Sequence, residues 1–281
     1  MFAKFRRSWA LAKASAAILR EDKELLLFPL CSAGALILVM LAFILPAFGL
    51  AAIDGLGSHD HPSIAAYCLA FAFYFSQYFV IFFFNAGLVG CAMLRLGGAT
   101  PTFRDGMRMA TRRIGAIAGY ALIAATVGVL LRAIQERMGI IGRNVIGLIG
   151  VVWNIATYLV VPVLVADDGG PVDAVKHSAR LMKKTWGENI VGNAGITVVF
   201  GLLLLAVLGV GAVMVIAAVA AKSLLLIVVA VLLAVMLVAL VFLVQSALSG
   251  IYAAALYRYA LGKPSKGFEA TVLEGAFAPK G

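Results

Sequence analysis

The sequence predicts an all-α membrane protein with six transmembrane helices, from its composition, its hydropathy and the distribution of its charges. Hydrophobic residues make up 63% of the chain and charged residues 13%, against about 25% charged residues in soluble domains. Six apolar segments are each long enough to cross about 30 Å of hydrocarbon as a helix. They lie at Leu25–Leu50, Ile64–Leu94, Ile114–Ile134, Ile140–Ala166, Asn189–Ala221 and Leu224–Tyr257. Because hydrocarbon offers no water to the backbone, such segments are expected to be helical.

Lysine and arginine are concentrated on one side of the predicted bundle. If the N-terminus is cytoplasmic, 19 of the 23 Lys and Arg residues lie in cytoplasmic segments. The other four are Arg132, Arg137, Arg143 and Lys222. This asymmetry follows the positive-inside rule, so we expect a multi-pass protein of the plasma (inner) membrane with both termini in the cytoplasm. The net charge of +10 is then explained by orientation and by attraction to anionic headgroups, without nucleic-acid binding.

The chain divides into three predicted regions. Residues 1–24 form an N-terminal amphipathic interfacial helix, residues 25–257 the six-helix transmembrane domain, and residues 258–281 a cytoplasmic tail. Loops 95–113 and 167–188 are expected on the cytoplasmic side. The six spans are expected to form three hairpins, each preceded by a cytoplasmic interfacial amphipathic helix.

An apolar stripe at helical spacing precedes the first, third and fifth spans. The stripes consist of Phe2, Phe5, Trp9, Ala12, Ala16 and Leu19; of Phe103, Met107, Ala110 and Ile114; and of Val172, Val175, Ala179, Met182 and Trp186. Steps of three and four residues place each set on one helix face. Basic residues occupy much of the remaining surface, which is typical of helices that lie in the membrane interface.

Two of these segments share a pattern of charges. Asp105-x-x-Arg108-x-x-x-Arg112 and Asp173-x-x-Lys176-x-x-x-Arg180 are separated by 68 residues. Thr102 and Asp105 form a capping-box pattern, and an Asp in the first turn favours the positive end of the helix dipole. The match is explained either by an internal repeat of surface helix plus hairpin or by the general requirements of interfacial helices.

Both ends of the chain resemble an uncharacterised group of bacterial membrane proteins, known only as a domain of unknown function. The residues that carry this resemblance are Ser8-Trp9 and Ile18–Pro29 at the start, and Ala255–Ala260, Gly267–Glu269 and Ala276-Phe277 at the end. The stretch Asp168–Ser178 is similar to a motif in Yip1-like proteins and in the membrane region of some glycerophosphodiester phosphodiesterases. These resemblances imply a six-span fold and supply no catalytic residues.

Four of the side-chain amides within the predicted spans are Gln77, Asn85, Asn154 and Gln245. Such groups commonly form hydrogen bonds between helices; alternatively, these four line a shared polar cavity. No Asp, Glu or His lies well inside a span. This disfavours a proton-coupled transporter, which normally needs a titratable group in the membrane.

Basic residues of the second and third amphipathic segments are candidate contacts for lipid headgroups or a protein partner. They are Arg108, Arg112, Lys176, Arg180, Lys183 and Lys184.

The sequence predicts neither an enzyme nor a cofactor or metal site. It contains no Gly-x-Ser-x-Gly, His-Glu-x-x-His or phosphate-binding loop motif. The leading hypothesis is a non-enzymatic protein that organises lipids or partner proteins at the cytoplasmic leaflet, and the alternative is a passive permease or channel for a small solute or lipid. The expected partners are anionic lipids and either another membrane protein or a second copy of the chain.

Overall fold

The structure, a computed structural model, describes residues 13–56, 63–138, 140–263 and 265. These residues form helices, turns and short connections, with no β-strand among them. The first half of the predicted N-terminal helix and nearly all of the predicted tail lie outside the described residues.

Nine α-helices are present in the described part of the chain. The helix α1 covers residues 13–21, and a short 3₁₀ helix at Lys23–Leu26 connects it to α2. The next helices are α2 (Leu27–Leu56), α3 (Ile64–Leu96), α4 (Phe103–Arg112) and α5 (Ile114–Arg137). They are followed by α6 (Ile140–Ala156), α7 (Val160–Ala166), α8 (Pro171–Ala220) and α9 (Leu224–Ala260).

Six helical segments are long and apolar enough to cross a membrane, as the hydropathy predicts. One of them, Asn144–Ala166, combines most of α6 with α7. Another, Val199–Ala220, lies within the predicted fifth span, among the residues whose side chains are described. Large apolar side chains lie exposed along α2, α8 and α9, including Leu45 at 80% and Leu224 at 76% exposure. Surfaces this apolar are compatible with contact to lipid.

Helix α3 is central to the packing, because it contacts α2, α4, α5, α7 and α9. Its last three turns are buried from Ala86 to Ala92. They pack beside the last turns of α9, where Ile251 and Tyr252 are fully enclosed. The densest core therefore lies at one end of the bundle.

Charged and capping contacts join several segments at that same end, which we call the charged end. Glu21 forms an ion pair with Arg95 at 3.0 Å, and the Glu24 carboxylate accepts a hydrogen bond from the backbone N–H of Phe103 at 2.6 Å. Arg113 forms an ion pair with Asp168. These contacts place α1, α4 and the connection between α7 and α8 together.

The second amphipathic segment forms α4, and its apolar stripe packs largely on protein. The rings of Phe103 and Phe28 lie 4.6 Å apart between centroids, and Gly106 and Ala110 are buried. Phe103 and Met107 are partly buried and Ile114 is exposed, so the stripe is only in part available to lipid.

The third amphipathic segment is not a separate helix. It forms the start of α8, whose 50 residues extend about 75 Å at 1.5 Å per residue. The predicted loop at 167–188 is accordingly helical from Pro171 onward. Ala174, Leu181 and Met182 are buried, so part of this segment also packs on protein.

Candidate functional site

A cavity of about 1140 Å³ lies among α2, α3, α5, α6 and α9. Its wall is largely apolar, with side chains such as Ile81, Phe82, Leu131 and Phe242. The polar side chains in the wall are Ser32, Tyr78, Asn85, Tyr120, Arg132, Gln135, Asn154, Thr157, Tyr158, Ser246 and Ser249. An apolar pocket with a few converging polar groups is typical of ligand sites, which makes this cavity the candidate functional site.

The four predicted amides divide into two pairs. Asn85 of α3 and Asn154 of α6 both line the cavity. Gln77 and Gln245 are not among the described residues that line it. The structure thus brings together two of the four.

Helical phase explains this division. On α3 the cavity is lined by Tyr78, Phe82 and Asn85, in steps of four and three residues that share one face. Gln77 precedes Tyr78 and is rotated about 100° away from it, since a helix has 3.6 residues per turn. Gln245 precedes Ser246, a lining residue of α9, and is displaced in the same way.

The amide-based prediction does not include several hydroxyl groups that line the cavity. Ser246 and Ser249 are three residues apart on α9, and Tyr78 and Tyr120 face the cavity from α3 and α5. The three-residue spacing of Ser246 and Ser249 places both on one helix face, so it could have been used to predict that they line the same wall. The tyrosines could not be distinguished from the many aromatic residues that fill the interior.

The fourth membrane segment is broken where it borders the cavity. Helix α6 ends at Ala156 and α7 begins at Val160. Pro162 explains the break, because it has no amide hydrogen to donate to the carbonyl of Tyr158 and its ring crowds that carbonyl. Broken helices are tolerated at membrane depth where neighbouring groups satisfy the exposed backbone.

Ser178 of α8 bridges the two sides of this break. Its hydroxyl donates a hydrogen bond to the carbonyl of Ala156 at 2.7 Å. Its oxygen accepts a hydrogen bond from the backbone N–H of Leu159 at 3.1 Å. Ser178 is fully buried, so it satisfies two backbone groups away from solvent.

Two tyrosine hydroxyls near the break are buried and have no hydrogen-bond partner among the described residues. They belong to Tyr158 and Tyr252, whose ring centroids lie 6.5 Å apart. Tyr158 also lines the cavity. Buried polar groups are normally hydrogen-bonded, so these two hydroxyls are exceptions in the packed region beside the break.

The wall of the cavity is buried at some residues and exposed at others, such as Leu30 at 52% and Phe242 at 53%. Phe28, Leu88 and Val161 line the cavity and are each at most 6% exposed.

Arg132 lies near the C-terminal end of α5 and is exposed. Its guanidinium donates a hydrogen bond to the hydroxyl of Tyr74 at 2.8 Å. Among the described residues that line the cavity, Arg132 is the one with a charged side chain.

Two carboxyl groups at the charged end have shifted pKa values. The predicted capping box is present: Asp105 accepts hydrogen bonds from the backbone N–H and hydroxyl of Thr102. These bonds lower the pKa of Asp105 below its ordinary value. Burial raises the pKa of Asp22 above its ordinary value, although the nearby charge of Arg95 acts in the opposite direction.

Asp167 connects α8 and α9 beside the charged end. One of its carboxylate oxygens accepts a hydrogen bond from the hydroxyl of Tyr257 at 3.1 Å. The other lies 2.7 Å from Nδ1 of His177. This arrangement fixes the start of α8 against the end of α9.

The basic residues predicted to contact headgroups are on the surface wherever their side chains are described. Those exposed are Arg108 and Arg112 on α4, and Lys176, Arg180 and Lys183 on α8. The side chain of Lys184 lies outside the described residues. Asp105 and Asp173 are each the third residue of their helix. The repeated pattern of one Asp and two basic residues therefore begins at the same position in α4 and in α8.

Residues 64–268 match a protein family described as a family of unknown function, DUF6159. The chain belongs to the DUF6159 family. The matched region begins after α2, so it excludes the opening residues that carried the sequence resemblance and includes Ala255–Ala260. No similarity to Yip1-like proteins or to the glycerophosphodiester phosphodiesterase membrane region is found. No curated protein and no solved structure matches.

The DUF6159 region contains most of the candidate site. It extends from α3 to beyond α9 and includes Asn85, Asn154, Arg132 and the broken helix. Only the side of the cavity formed by α2, from Phe28 to Ile37, lies before it.

Proposed function

We propose that this DUF6159 protein is a non-enzymatic passive permease or channel that admits a small solute or a lipid into its cavity. The observation that supports this proposal is the cavity itself, which is bordered by five helices and carries neutral polar groups on an apolar wall. Asn85 and Asn154 supply hydrogen-bonding groups at membrane depth. Placing such groups in apolar surroundings costs free energy unless they form hydrogen bonds.

Passive transfer agrees with the chemistry of the wall. Among the described lining residues no Asp, Glu or His is present, and coupling to protons usually needs such a group. The break between α6 and α7 resembles in kind the discontinuous helices that form binding sites in transporters. Ser178 holds this break in its present arrangement.

The proposed orientation places the charged end in the cytoplasm. The excess of Lys and Arg on this side supports it, with both termini cytoplasmic and the protein in the inner membrane of a bacterium. The spans are proposed to form three hairpins, because α2 contacts α3, α5 contacts α6 and α8 contacts α9.

Flux measurements test the proposal with matched variants. The purified protein is reconstituted in liposomes and assayed with a panel of small solutes and with fluorescent phospholipid accessible to dithionite. Asn85→Leu and Asn154→Leu should lower the flux about tenfold, the effect of one lost hydrogen bond of about 1.4 kcal/mol. Gln77→Leu and Gln245→Leu, which remove amides of the same type outside the cavity wall, are the controls and should leave flux unchanged. Absence of flux in the unmodified protein across both assays would overturn the proposal.

A second candidate function is the organisation of anionic lipid or of a partner protein at the cytoplasmic leaflet. The exposed basic side chains of α4 and α8 favour it, since each contributes about 1 kcal/mol of attraction near an anionic surface. Replacing Lys176, Arg180, Lys183 and Lys184 together by Gln should reduce the phosphatidylglycerol that co-purifies with the protein. Unchanged lipid content and unchanged partner recovery would exclude this function.

A further inference from the structure

We infer that the cavity takes a membrane glycerolipid that enters sideways from the bilayer, with its acyl chains on the apolar wall and its uncharged ester groups at the amides and hydroxyls. This inference rests on the proposed function, since it specifies a lipid, rather than a small solute, as the molecule that the cavity admits.

The described wall of the cavity lies entirely at membrane depth. Its lining residues all fall within five of the candidate spans, and no loop between two spans contributes a described lining residue. The outer sides of such helices are surrounded by hydrocarbon in a bilayer. A molecule dissolved in the bilayer can therefore reach the wall without first crossing a loop region.

Two exposed helix faces form part of this wall. On α2 the lining residues Leu30, Gly34 and Ile37 are exposed, and steps of four and three place them on one face. On α9 the lining residues Phe242 and Ser246 are exposed as well, one turn apart. Because these faces are largely apolar, lipid chains are expected against them. The cavity is therefore accessible from the side of the bundle.

The size of the cavity favours a lipid over a small solute. Its volume of about 1140 Å³ is above the range of about 300–1,000 Å³ that is usual for sites of small molecules. Ile81, Phe82, Leu131 and Leu243 are among the apolar side chains of the wall. A small polar solute would leave most of this apolar surface without contact, whereas acyl chains are as apolar as the wall itself.

Neutral polar groups of the wall match the uncharged ester groups of a glycerolipid. Asn85 and Asn154 each carry two amide N–H donors, and Ser246 and Ser249 each carry a hydroxyl. Ester carbonyls accept hydrogen bonds and do not donate them, so donors on the wall are the groups they require. Polar groups at membrane depth cost free energy unless they are hydrogen-bonded, and a ligand that brings acceptors to this depth offsets that cost.

Glycines on two sides of the cavity provide positions at which it can be narrowed. Gly34 of α2 and Gly150 of α6 both line the cavity. A Cβ at Gly34 would meet no heavy atom within 4 Å, and one at Gly150 would meet only Cδ1 of Leu131 at 3.9 Å. A larger side chain at either position therefore has room, and it occupies space that a lipid would need.

Trp153 lines the cavity and allows entry of lipid to be measured by fluorescence. The chain has three tryptophans, so Trp9→Phe with Trp186→Phe leaves Trp153 as the only one. This protein is placed in nanodiscs of phosphatidylcholine or of phosphatidylcholine brominated along one acyl chain. Bromine quenches tryptophan fluorescence on contact, so the brominated lipid should lower the Trp153 emission. Acrylamide, a small soluble quencher, should have little effect.

Gly34→Leu and Gly150→Leu, each added to this protein, should remove most of the quenching by brominated lipid. Because Gly34 lies on a different helix from Trp153, Gly34→Leu tests access to the cavity rather than local shielding of the ring. Gly49→Leu and Gly147→Leu are the matched controls and should leave the quenching unchanged. They lie on the same two helices, a Cβ at either would meet no heavy atom within 4 Å, and neither residue is among the described lining residues. Near-ultraviolet circular dichroism checks that each variant keeps its packing.

A second measurement uses the protein without substitutions. Phosphatidylcholine that carries a diazirine at the end of one acyl chain is activated by light in the nanodiscs, and the labelled residues are identified by mass spectrometry. Labels are expected on partly buried residues of the wall, such as Phe82 and Leu243. Labels confined to outward-facing residues, such as Leu45 and Leu224, would overturn the inference.

The quenching outcomes separate the inference from the proposed function. Quenching by brominated lipid that neither Gly34→Leu nor Gly150→Leu reduces would mean that Trp153 meets the surrounding bilayer, and this would overturn the inference. Quenching by acrylamide but not by brominated lipid would replace the lipid by a soluble ligand and retain the proposed permease. The absence of quenching by both would argue against access to the cavity, and so against both proposals.

Discussion

The hydroxyl oxygen of Ser178 accepts a hydrogen bond from the backbone N–H of Leu159 at 3.1 Å, at the break between α6 and α7. The same hydroxyl donates to the carbonyl of Ala156. One buried side chain of α8 therefore satisfies a donor and an acceptor that the broken helix cannot satisfy itself. The geometry of the cavity wall around Thr157 depends on a residue that lies in a different helix.

Replacement of Ser178 by Ala should destabilise the protein more than loss of an ordinary helix-surface hydroxyl. Removing the hydroxyl leaves the buried N–H of Leu159 and one acceptor without this partner, at a cost of about 1–3 kcal/mol. Thermal unfolding in detergent, followed by near-ultraviolet circular dichroism, measures the effect. Ser76→Ala is the control, because the Ser76 hydroxyl bonds only to the carbonyl of Ala72 in its own helix. Equal unfolding temperatures for the two variants would contradict the bridging role.

Gly106→Ala should destabilise the contact of α4 with α3. A Cβ at this position would meet the ring of Phe28 and lie 2.7 Å from both Sγ of Cys91 and the carbonyl oxygen of Gly87. Because one of these neighbours is backbone, the helices must separate, and overpacking of this kind costs about 1–3 kcal/mol.

The control for this prediction is Gly115→Ala. No heavy atom lies within 4 Å of a Cβ at Gly115, so the substitution should stabilise α5 by about 0.5–1 kcal/mol through its better helix propensity. The two proteins can be compared by the same unfolding measurement. A Gly106→Ala protein as stable as the parent would mean that α4 does not require this close approach.

The membrane segments could be predicted because backbone chemistry in hydrocarbon demands long apolar helices. The described part of the fifth segment, Val199–Ala220, agrees with the prediction. The helix α8 is continuous through this region.

The partner of an apolar stripe could not be predicted. Phe103 and Ala110 were expected to face lipid, yet Phe103 packs on Phe28 and Ala110 is buried. Lipid chains and protein interiors are similarly apolar, so hydropathy does not distinguish them. Gly106, in the middle of α4, was the available signal for a close approach between helices.

Only the chemical character of the cavity wall, its neutral amide side chains, could be predicted from the sequence. Amides within spans were identified, but whether each faces the interior depends on the rotation of its helix against its neighbours. Asn85 and Asn154 line the cavity and Gln77 and Gln245 do not. The rotation is determined by contacts distant in sequence, such as those of α3 with α9.

Glu24→Ala should weaken the docking of α4 at the charged end. The carboxylate accepts the N–H of Phe103 at the first residue of α4, where a negative charge also interacts favourably with the helix dipole. Loss of such a cap costs about 1 kcal/mol.

Glu21→Ala is the control. The ion pair of Glu21 with Arg95 is on the surface, with the Glu21 side chain 66% exposed, and exposed pairs contribute about 0–1 kcal/mol. High salt should further reduce the small loss of stability caused by Glu21→Ala. A loss of stability in Glu24→Ala no larger than that in Glu21→Ala would contradict the capping role.

Asp105 and Asp22 should give opposite dependences of stability on pH. The pKa of Asp105 is lowered in the folded protein, so its ionised form stabilises the fold above its ordinary pKa, and this contribution is lost as the pH falls through the lowered folded value. The pKa of Asp22 is raised, so its contribution to stability is present below the ordinary pKa and is lost as the pH rises through the raised folded value.

Asp105→Asn should therefore lower the unfolding temperature at neutral pH and have a shrinking effect in acid. Asp22→Asn, which stays uncharged as the pH rises, should leave the protein at least as stable as the parent at neutral pH, with the difference again shrinking in acid. Unfolding temperatures of the three proteins between about pH 2 and 7.5 measure both trends, and changes of the same sign at neutral pH would contradict the assignment of opposite environments to the two carboxyl groups.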